Sequence, residues 1–216
     1  MTVTTYYADA GTLGDPALFE KLYREQPQYR RKKIDGFRFM KDRVLSIGAG
    51  ALLQRVLDIH DVREREPVFG PYGKPSIGEI HFNLSHSGER VMCTVSDAEV
   101  GCDVEMVTDI DLEIARRYFF GTEYRSIIDS GDGDARKDTF FRLWTLKESF
   151  MKATGLGFQI PLDSFCVSLD DTVTVEQHVD DREYFLREFR VESGYRYACC
   201  SLDPDIDEHM IPISLV

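Results

Sequence analysis

Cysteine is scarce in this sequence, and its pattern argues against two kinds of cross-linked structure. The 216 residues contain only Cys93, Cys102, Cys166, Cys199 and Cys200, and no two of them form a Cys-x-x-Cys pair. An odd number of cysteines without paired spacing argues against a disulfide framework and against a structural zinc site. Because such cysteine usage is typical of a reducing compartment, we expect a cytoplasmic protein.

Long apolar runs and an excess of positive charge are also missing. No stretch approaches the roughly 20 apolar residues that cross a bilayer. The first residues, MTVTTYYADAG, lack the basic segment and apolar core of a signal peptide. We therefore expect neither a membrane span nor a secretory leader. Lysine and arginine number 26 against 38 acidic residues, and the resulting net charge of −12 argues against general nucleic-acid binding.

Hydrophobic patterning predicts helices and strands in an order that occurs twice along the chain. The order is strand, helices, long helix and strands, once on each side of about residue 100. The first series has a helix start at Asp15-Pro16 and covers 2–8, 37–59, 80–84 and 91–96. The second series covers 99–106, 111–120, 122–129, 135–153, 164–169, 172–178, 183–192 and 195–201. This repetition favours an α+β fold with two halves, 1–100 and 101–216, in one compact body.

Three details of this organisation are further expectations. The segment 65–79 is rich in proline and glycine and is predicted to be a loop. The strands that follow it are expected to pair in hairpin succession. Thr122 is expected to cap the helix over 122–129, and the acidic tail, 203–216, is expected to be exposed.

Two carboxylates lie on one face of a predicted strand. In GCDVE, strand alternation places Asp103 and Glu105 on one face and Cys102 and Val104 on the other. The two carboxylates, about 7 Å apart along the backbone, repel each other unless a cation lies between them. Mg²⁺ is the natural candidate, because it prefers oxygen ligands. The alternative is an ordinary solvated strand face.

The helix over 135–153 contains a third carboxylate. Its apolar stripe includes Leu146 and Phe150, whereas Glu148 and Lys152 lie one turn apart on another face. Glu148 could supply a third metal ligand if the helix crosses the end of the strand. The alternative is a solvated Glu–Lys pair, which would contribute about 0.2–0.5 kcal/mol to helix stability.

Three further segments could bind an anionic ligand: NLSHSG at 83–88, GPYGKP at 70–75, and the basic run 30–33 together with Arg43. The first has no GxSxG elbow, so a phosphate-binding turn is favoured over a serine hydrolase. The second lacks the spacing of a P-loop, although its glycine would let the backbone approach a ligand. The alternatives are a turn-capping His86 and a solvated basic surface.

Together these segments resemble the 4'-phosphopantetheinyl transferases of the surfactin-synthetase-activating type. The matching pieces are YGKP, FNLSHSG, GCDVE, LWTLKESFMKATGLG and PLDSFCV, at 72–75, 82–88, 101–105, 143–157 and 161–167. The resemblance implies a pseudo-dimer of two similar α/β halves, with the active site and coenzyme A in the cleft between them. It also implies transfer of the 4'-phosphopantetheine arm to a serine of an apo acyl or peptidyl carrier protein, with release of 3',5'-adenosine bisphosphate.

The resemblance further implies roles for individual residues. Asp103, Glu105 and Glu148 are the implied Mg²⁺ ligands, and Lys152 is the cation beside the pyrophosphate. The implied coenzyme A contacts are Arg43, Gly73, Lys74, Pro75, Ser85, His86, Asp103 and Lys152, with Arg30, Arg31 and Lys33 as further candidates. Glu148 is our hypothesis for the base that accepts the serine proton, and a metal-bound water is the alternative. The region 110–128 is the implied contact with the carrier protein.

Two other functions share some of these features. A magnesium-dependent nucleotide phosphoesterase would use the same three carboxylates but would release product without a carrier protein. A non-catalytic module that binds coenzyme A or a carrier protein would not need all three acids. The internal duplication favours a monomer.

Overall fold

The computed structural model describes residues 2–78 and 80–216 and contains helices and strands in both halves. The helices are α1 Pro16–Glu25, α2 Gln28–Gly36, α3 Met40–Ile59, α4 Leu112–Tyr118, α5 Gly121–Asp129 and α6 Asp134–Thr154. The strands are β1 Thr4–Asp9, β2 Val68–Phe69, β3 Pro75–Ile77, β4 Ile80–Ser87, β5 Arg90–Ser96, β6 Val100–Met106, β7 Cys166–Ser168, β8 Thr174–Glu176, β9 Phe185–Phe189, β10 Tyr195–Ser201 and β11 Ile211–Pro212. The expected α+β class is confirmed.

The strands form two main sheets, each covered by one long helix. The first has the order β11-β1-β5-β4-β3-β2, the second has the order β6-β10-β9, and β7 pairs separately with β8. Leu52 of α3 and Phe82 of β4 belong to the core of the first sheet, and Leu146 and Phe150 of α6 belong to that of the second. We propose the division into halves, 1–100 and 101–216, on this basis, although residue 1 lies outside the described residues.

Helix boundaries follow the local sequence signals. The side chain of Asp15 accepts a hydrogen bond from the Leu18 amide at 2.9 Å, which caps α1. Gly155 ends α6 in the left-handed conformation, with φ of 74°. In α3, a Cβ at Gly50 would lie 2.0 Å from the side-chain oxygen of Gln26, so the glycine that weakens this helix also lets its neighbours pack closely.

The expected hairpin succession is wrong for β5 and β6. Strand β6 leaves the first sheet and pairs antiparallel with β10, far along the chain. The predicted loop 65–79 contains the short strands β2 and β3, which pair with each other, and its last residue lies outside the described residues. Thr122 does not cap α5: the helix begins after Phe120, and the Thr122 hydroxyl lies 3.2 Å from Cys166 Sγ.

The C-terminal tail is only partly exposed, contrary to expectation. Ile206, Met210 and Leu215 are buried, and β11 pairs in parallel with β1 of the first sheet. Ile206 and Met210 pack in the hydrophobic cluster that contains Val100 and Phe189, and Leu215 packs in the core of the first sheet. Among the helices of the described residues, none is long and apolar enough to span a membrane.

Candidate active site

A cleft of about 320 Å³ lies between the two halves and brings three sequence motifs together. It is lined by Leu84, Ser85, His86, Asp103, Glu105, Trp144, Glu148 and Lys152. The strand carboxylates and the helix carboxylate therefore face one space. The same-face placement of Asp103 and Glu105 is confirmed, because Cys102 and Val104 are buried in a hydrophobic cluster on the other side.

Helix α6 approaches β6 very closely at Gly101. A Cβ at this position would lie 2.1 Å from the carbonyl oxygen of Ser149 and 2.3 Å from the amide nitrogen of Ala153. Only glycine allows the helix backbone to rest directly on the strand. This contact sets the distance between the acids of β6 and the functional face of α6.

Asp103 is almost fully buried and is held by two donors. Lys152 Nζ donates to Asp103 Oδ1 at 2.6 Å, and Ser85 Oγ donates to the same oxygen at 2.7 Å. Lys152 also donates to the Cys102 carbonyl at 3.1 Å. Burial is the largest single influence on the pKa of Lys152 and lowers it, but the charge and hydrogen bond of Asp103, with the nearby Cys102 and Glu148, together outweigh burial and raise the net pKa.

The pKa values of the other two carboxylates, Glu105 and Glu148, are both raised. Burial, followed by the charge of Asp103, raises the pKa of Glu105 to about 7. Burial and the charge of Asp103 also raise the pKa of Glu148. Ser87 Oγ donates to Glu105 Oε2 at 2.7 Å. Three acids thus share one cleft, and Lys152 forms its ion pair with Asp103.

The chemistry of the cleft carboxylates suits a divalent cation, although their oxygens do not converge on one point. Within residues 2–78 and 80–216, no three His, Cys, Asp or Glu side chains are close enough to hold a metal ion as they stand. Asp103 and Glu105 each bond to their own partners instead. However, Asp103 Oδ2 is buried without a hydrogen-bond partner in the described chain. In addition, the candidate metal ligands are all carboxylate oxygens, which Mg²⁺ prefers. The metal assignment therefore stays a prediction.

The basic run contributes charge beside His86. His86 lines the cleft, and desolvation there lowers its pKa, as do the charges of Lys33 and Lys152. Burial lowers the pKa of Lys33, and the neighbouring charge of Arg30 lowers it further. The predicted contacts Lys33 and Lys152 thus each lie within electrostatic reach of His86, as expected for groups that bind one anion.

The side chains of Arg30 and Arg43 are engaged within the first half. Arg30 is buried and donates to the Ser46 carbonyl at 2.8 Å. Arg43 donates to the Phe37 carbonyl at 2.8 Å. Both arginines therefore stabilise the packing of α2 and α3, and their contact with a phosphate stays a prediction.

Lys74 lies in a separate cavity of about 310 Å³ at the end of α6. That cavity is lined by Gly70, Pro71, Tyr72, Lys74, Pro75, Ser76, His81, Glu99, Thr154, Gly155 and Leu156. Lys74 Nζ forms an ion pair with Glu99 and donates to the Ala153 carbonyl at 2.8 Å. Its ammonium is therefore used inside the protein. Gly73 has φ of 83°, which a glycine adopts without strain and which shapes this turn.

Lys147 does not face the cleft. It forms a fully buried ion pair with Glu123, with Nζ–Oε1 of 2.7 Å, and donates to the Phe165 carbonyl at 2.8 Å. This ion pair occupies the Lys147 ammonium inside the second half. Sequence reasoning missed Glu123, Glu99 and Ser87, and only Ser87 carried a signal, since it lies two residues after Ser85 on the same strand.

An apolar groove of about 530 Å³ adjoins the cleft through a shared tryptophan. It is lined by Arg117, Tyr118, Trp144, Phe158, Ile160, Pro161, Leu162 and Asp163, and we call it the Trp144 groove. Phe158 is 86% exposed, which is unusual for a large apolar side chain.

Comparison with known proteins decides the family. The model of the 4'-phosphopantetheinyl transferase superfamily matches residues 99–200. The 4'-phosphopantetheinyl transferase Sfp of Bacillus subtilis (strain 168) is 37% identical over 163 residues, which cover 74% of this chain and 72% of that protein. The chain belongs to the 4'-phosphopantetheinyl transferase family. The resemblance drawn from the motifs is thereby confirmed, and the protein is an enzyme that transfers a phosphopantetheine group.

Two other relatives of this transferase agree. The 4'-phosphopantetheinyl transferase psf-1 of Bacillus pumilus is 32% identical over 189 residues, covering 84% of this chain and 81% of that protein. The 4'-phosphopantetheinyl transferase gsp of Aneurinibacillus migulanus is 41% identical over 133 residues, covering 61% and 56%. A crystal structure of Thermotoga maritima holo-[acyl-carrier-protein] synthase aligns with a TM-score of 0.41 at 19% identity, covering 48% of this chain and 62% of that one.

Proposed function

We propose that this transferase moves the 4'-phosphopantetheine arm of coenzyme A onto a serine of an apo acyl or peptidyl carrier protein and releases 3',5'-adenosine bisphosphate. Family membership supports the transferred group. The observation that carries the proposal is the convergence of Asp103, Glu105, Glu148 and Lys152 in one cleft. These residues provide oxygen ligands for a cation and a positive charge for a phosphate.

The reaction requires one bond to form and one to break. The serine oxygen bonds to the phosphorus next to the pantetheine arm, and the bond from that phosphorus to the pyrophosphate bridging oxygen breaks. We propose that Lys152 neutralises the charge that develops on the leaving bisphosphate. We also propose that Glu148 accepts the serine proton, because it lies one turn from Trp144, where the cleft meets the Trp144 groove.

Magnesium would be held by Asp103, Glu105 and Glu148. The partnerless Asp103 Oδ2 supports this assignment. When bound, Mg²⁺ supplies positive charge for the pyrophosphate oxygens. The cation would also stabilise the three ligand carboxylates, because it would offset their mutual repulsion in one cleft.

Coenzyme A would extend from this cleft across the first half. Lys33 and His86 are proposed to meet its phosphates, since His86 lies within electrostatic reach of both Lys33 and Lys152. Arg30 and Arg43 stay candidates for the 3'-phosphate. Gly73, Lys74 and Pro75 are proposed to make contact through their backbone, because the Lys74 ammonium already pairs with Glu99.

The Trp144 groove is the proposed docking site for the carrier protein. Tyr118 and Phe158 expose apolar surface there, and a protein bound on it would bring its serine towards Glu148 because the groove and the cleft share Trp144. Arg116 and Arg117 add positive charge at the C-terminal end of α4, which suits an acidic partner helix. Of the expected contact region 110–128, Arg117 and Tyr118 line this groove.

We further propose that the transferase acts as a cytoplasmic monomer. Free cysteines, four of them buried, are consistent with a reducing compartment. Both halves already contribute residues to one cleft, so a second copy is not needed to complete it.

The decisive test is intact-mass analysis of an apo carrier protein incubated with the transferase, coenzyme A and Mg²⁺. We expect the carrier to gain the mass of phosphopantetheine, and we expect a chelator to prevent that gain. A nucleotide phosphoesterase would instead release nucleotide product from coenzyme A with no carrier present. A binding module would leave both the carrier and coenzyme A unchanged.

A further inference from the structure

Strands β4 and β6 belong to different sheets, yet side chains of one bond to the backbone of the other. Three amides of β6 donate to side-chain oxygens of β4: Cys102 N to Asn83 Oδ1 at 3.0 Å, Val104 N to Ser85 Oγ at 3.3 Å, and Met106 N to Ser87 Oγ at 3.1 Å. The side chains of alternate residues in β4 thus accept hydrogen bonds from alternate amides of β6. This side-chain ladder takes the place of backbone pairing at the junction of the two halves.

The two serines of this ladder each make a second bond of the same kind. Ser85 Oγ donates to Asp103 and Ser87 Oγ donates to Glu105, both at 2.7 Å. A hydroxyl has one proton and two lone pairs, so each serine can accept from an amide while it donates to a carboxylate. The carboxylate always belongs to the residue that precedes the bonded amide. One geometry is therefore repeated at two positions, two residues apart.

We propose that Ser87 is a positioning residue that holds the Glu105 carboxylate in its orientation for the divalent cation. The inference rests on the proposed function, which assigns Glu105 as a ligand. Ser87 is not among the residues that line the cleft, so it acts through Glu105 and not on the substrate. Its amide partner, Met106, anchors the hydroxyl from the backbone side, which leaves the proton of Ser87 aimed at the acid.

Ser85 has the same two bonds but is a poorer test of this idea. Lys152 Nζ also lies 3.2 Å from Ser85 Oγ, and Ser85 lines the cleft. Its substitution would disturb the cation, the lysine and the substrate together. Ser87 separates the orientation of a ligand from these other effects.

The experiment measures Mn²⁺ binding to the whole chain by electron paramagnetic resonance, without coenzyme A or carrier protein. We expect Ser87→Ala to weaken Mn²⁺ binding about tenfold, as is typical when a group that orients a metal ligand is lost. Ser87→Thr keeps the hydroxyl and should restore the affinity. Ser168→Ala is the matched control, because Ser168 also donates to a carboxylate, that of Asp170 at 2.6 Å, but at the end of β7 and not at the cleft.

Activity assays give a second and independent readout. The Mg²⁺ concentration at half-maximal rate should rise in Ser87→Ala, while kcat at saturating Mg²⁺ stays within about twofold of the wild-type value. If Ser87→Ala fails to fold, Ser87→Cys takes its place, because the thiol fills the position of the hydroxyl in the ladder but is a weaker hydrogen-bond donor. The same loss of Mn²⁺ affinity is expected for this variant.

The possible outcomes distinguish a failure of the role given to Ser87 from a failure of the metal assignment. Unchanged Mn²⁺ affinity in a folded Ser87→Ala or Ser87→Cys variant would overturn the positioning role and leave the proposed function intact. Weak binding that Ser87→Thr does not restore would also overturn it. A wild-type chain that binds no Mn²⁺ would contradict the metal assignment itself, and the inference would fail with it.

Discussion

Lys152 Nζ lies 2.6 Å from Asp103 Oδ1, and this ion pair connects the long helix of the second half to its first strand. Asp103 is nearly fully buried, whereas the lysine side chain is 28% exposed and faces the cleft. The aspartate therefore fixes the position of an ammonium that can still reach a ligand. The same lysine serves the packing of the fold and, in the proposed function, the charge of the leaving group.

Replacing Lys152 should damage turnover much more than metal binding. We expect Lys152→Met to lower kcat about 100-fold, because it removes a preorganised charge from the leaving group. Quantitative mass spectrometry of the modified carrier protein at saturating coenzyme A provides the rate. Lys41→Met, on an exposed part of α3, is the control. A kcat within twofold of wild type would remove Lys152 from the proposed chemistry.

Replacing Glu148 distinguishes a base from a metal ligand. If Glu148 accepts the serine proton, Glu148→Gln should lower kcat even at saturating Mg²⁺, by about 100-fold or more. Rates should therefore be measured over a full Mg²⁺ titration, with Glu25→Gln, exposed at the end of α1, as the control. A variant with weakened Mg²⁺ affinity but normal kcat at saturation would show that Glu148 binds the metal and is not the base.

The close contact at Gly101 should be intolerant of any side chain. Gly101→Ala would push a methyl group into the backbone of α6 at Ser149 and Ala153, so we expect a loss of unfolding free energy of about 1–3 kcal/mol or more. Urea denaturation measures this change. Gly14→Ala is the control, because a Cβ there would meet no atom within 4 Å. Equal stabilities for the two variants would argue against the close approach.

The ion pair of Lys74 and Glu99 should make stability depend on acid pH. Hydrogen bonds from His81 and then Lys74 lower the pKa of Glu99 from 4.5 to about 2. Because the folded-state pKa is the lower one, the stabilisation is complete above pH 4.5 and is lost as the pH falls towards 2.

We therefore expect Glu99→Gln to be less stable than wild type at neutral pH, with the difference shrinking between pH 4.5 and 2. Denaturant unfolding at several pH values measures this trend. Glu20→Gln, which breaks an exposed pair with Arg24, should show little pH-dependent difference. A constant difference for Glu99→Gln across that pH range would contradict the predicted linkage.

Carrier docking on the Trp144 groove predicts a selective effect on one substrate. Phe158→Ser should raise the KM for the carrier protein about tenfold, because it removes an exposed apolar contact, while the KM for coenzyme A stays unchanged. Steady-state rates with each substrate varied in turn provide both values. Ile59→Ser, exposed at the end of α3, is the control. Equal changes in both KM values would point to a general structural defect.

Local patterns in the sequence predicted much of the site but not how it is assembled. Strand alternation placed Asp103 and Glu105 on one face, and helical spacing placed Glu148 and Lys152 together, since both depend only on near neighbours. The departure of β6 from the first sheet could not be predicted, because strand pairing is decided by packing between distant segments. The partner of Lys147 was equally hidden, since Glu123 lies 24 residues away on another helix.

The pairing of β11 with β1 has a consequence for how the protein is made. The strand at Thr4–Asp9 is synthesised first, and its neighbour at Ile211–Pro212 follows just over 200 residues later. The first sheet therefore cannot reach its final form during translation of the first half. A nascent chain stalled before residue 211 should therefore leave one side of β1 unpaired until β11 has been synthesised.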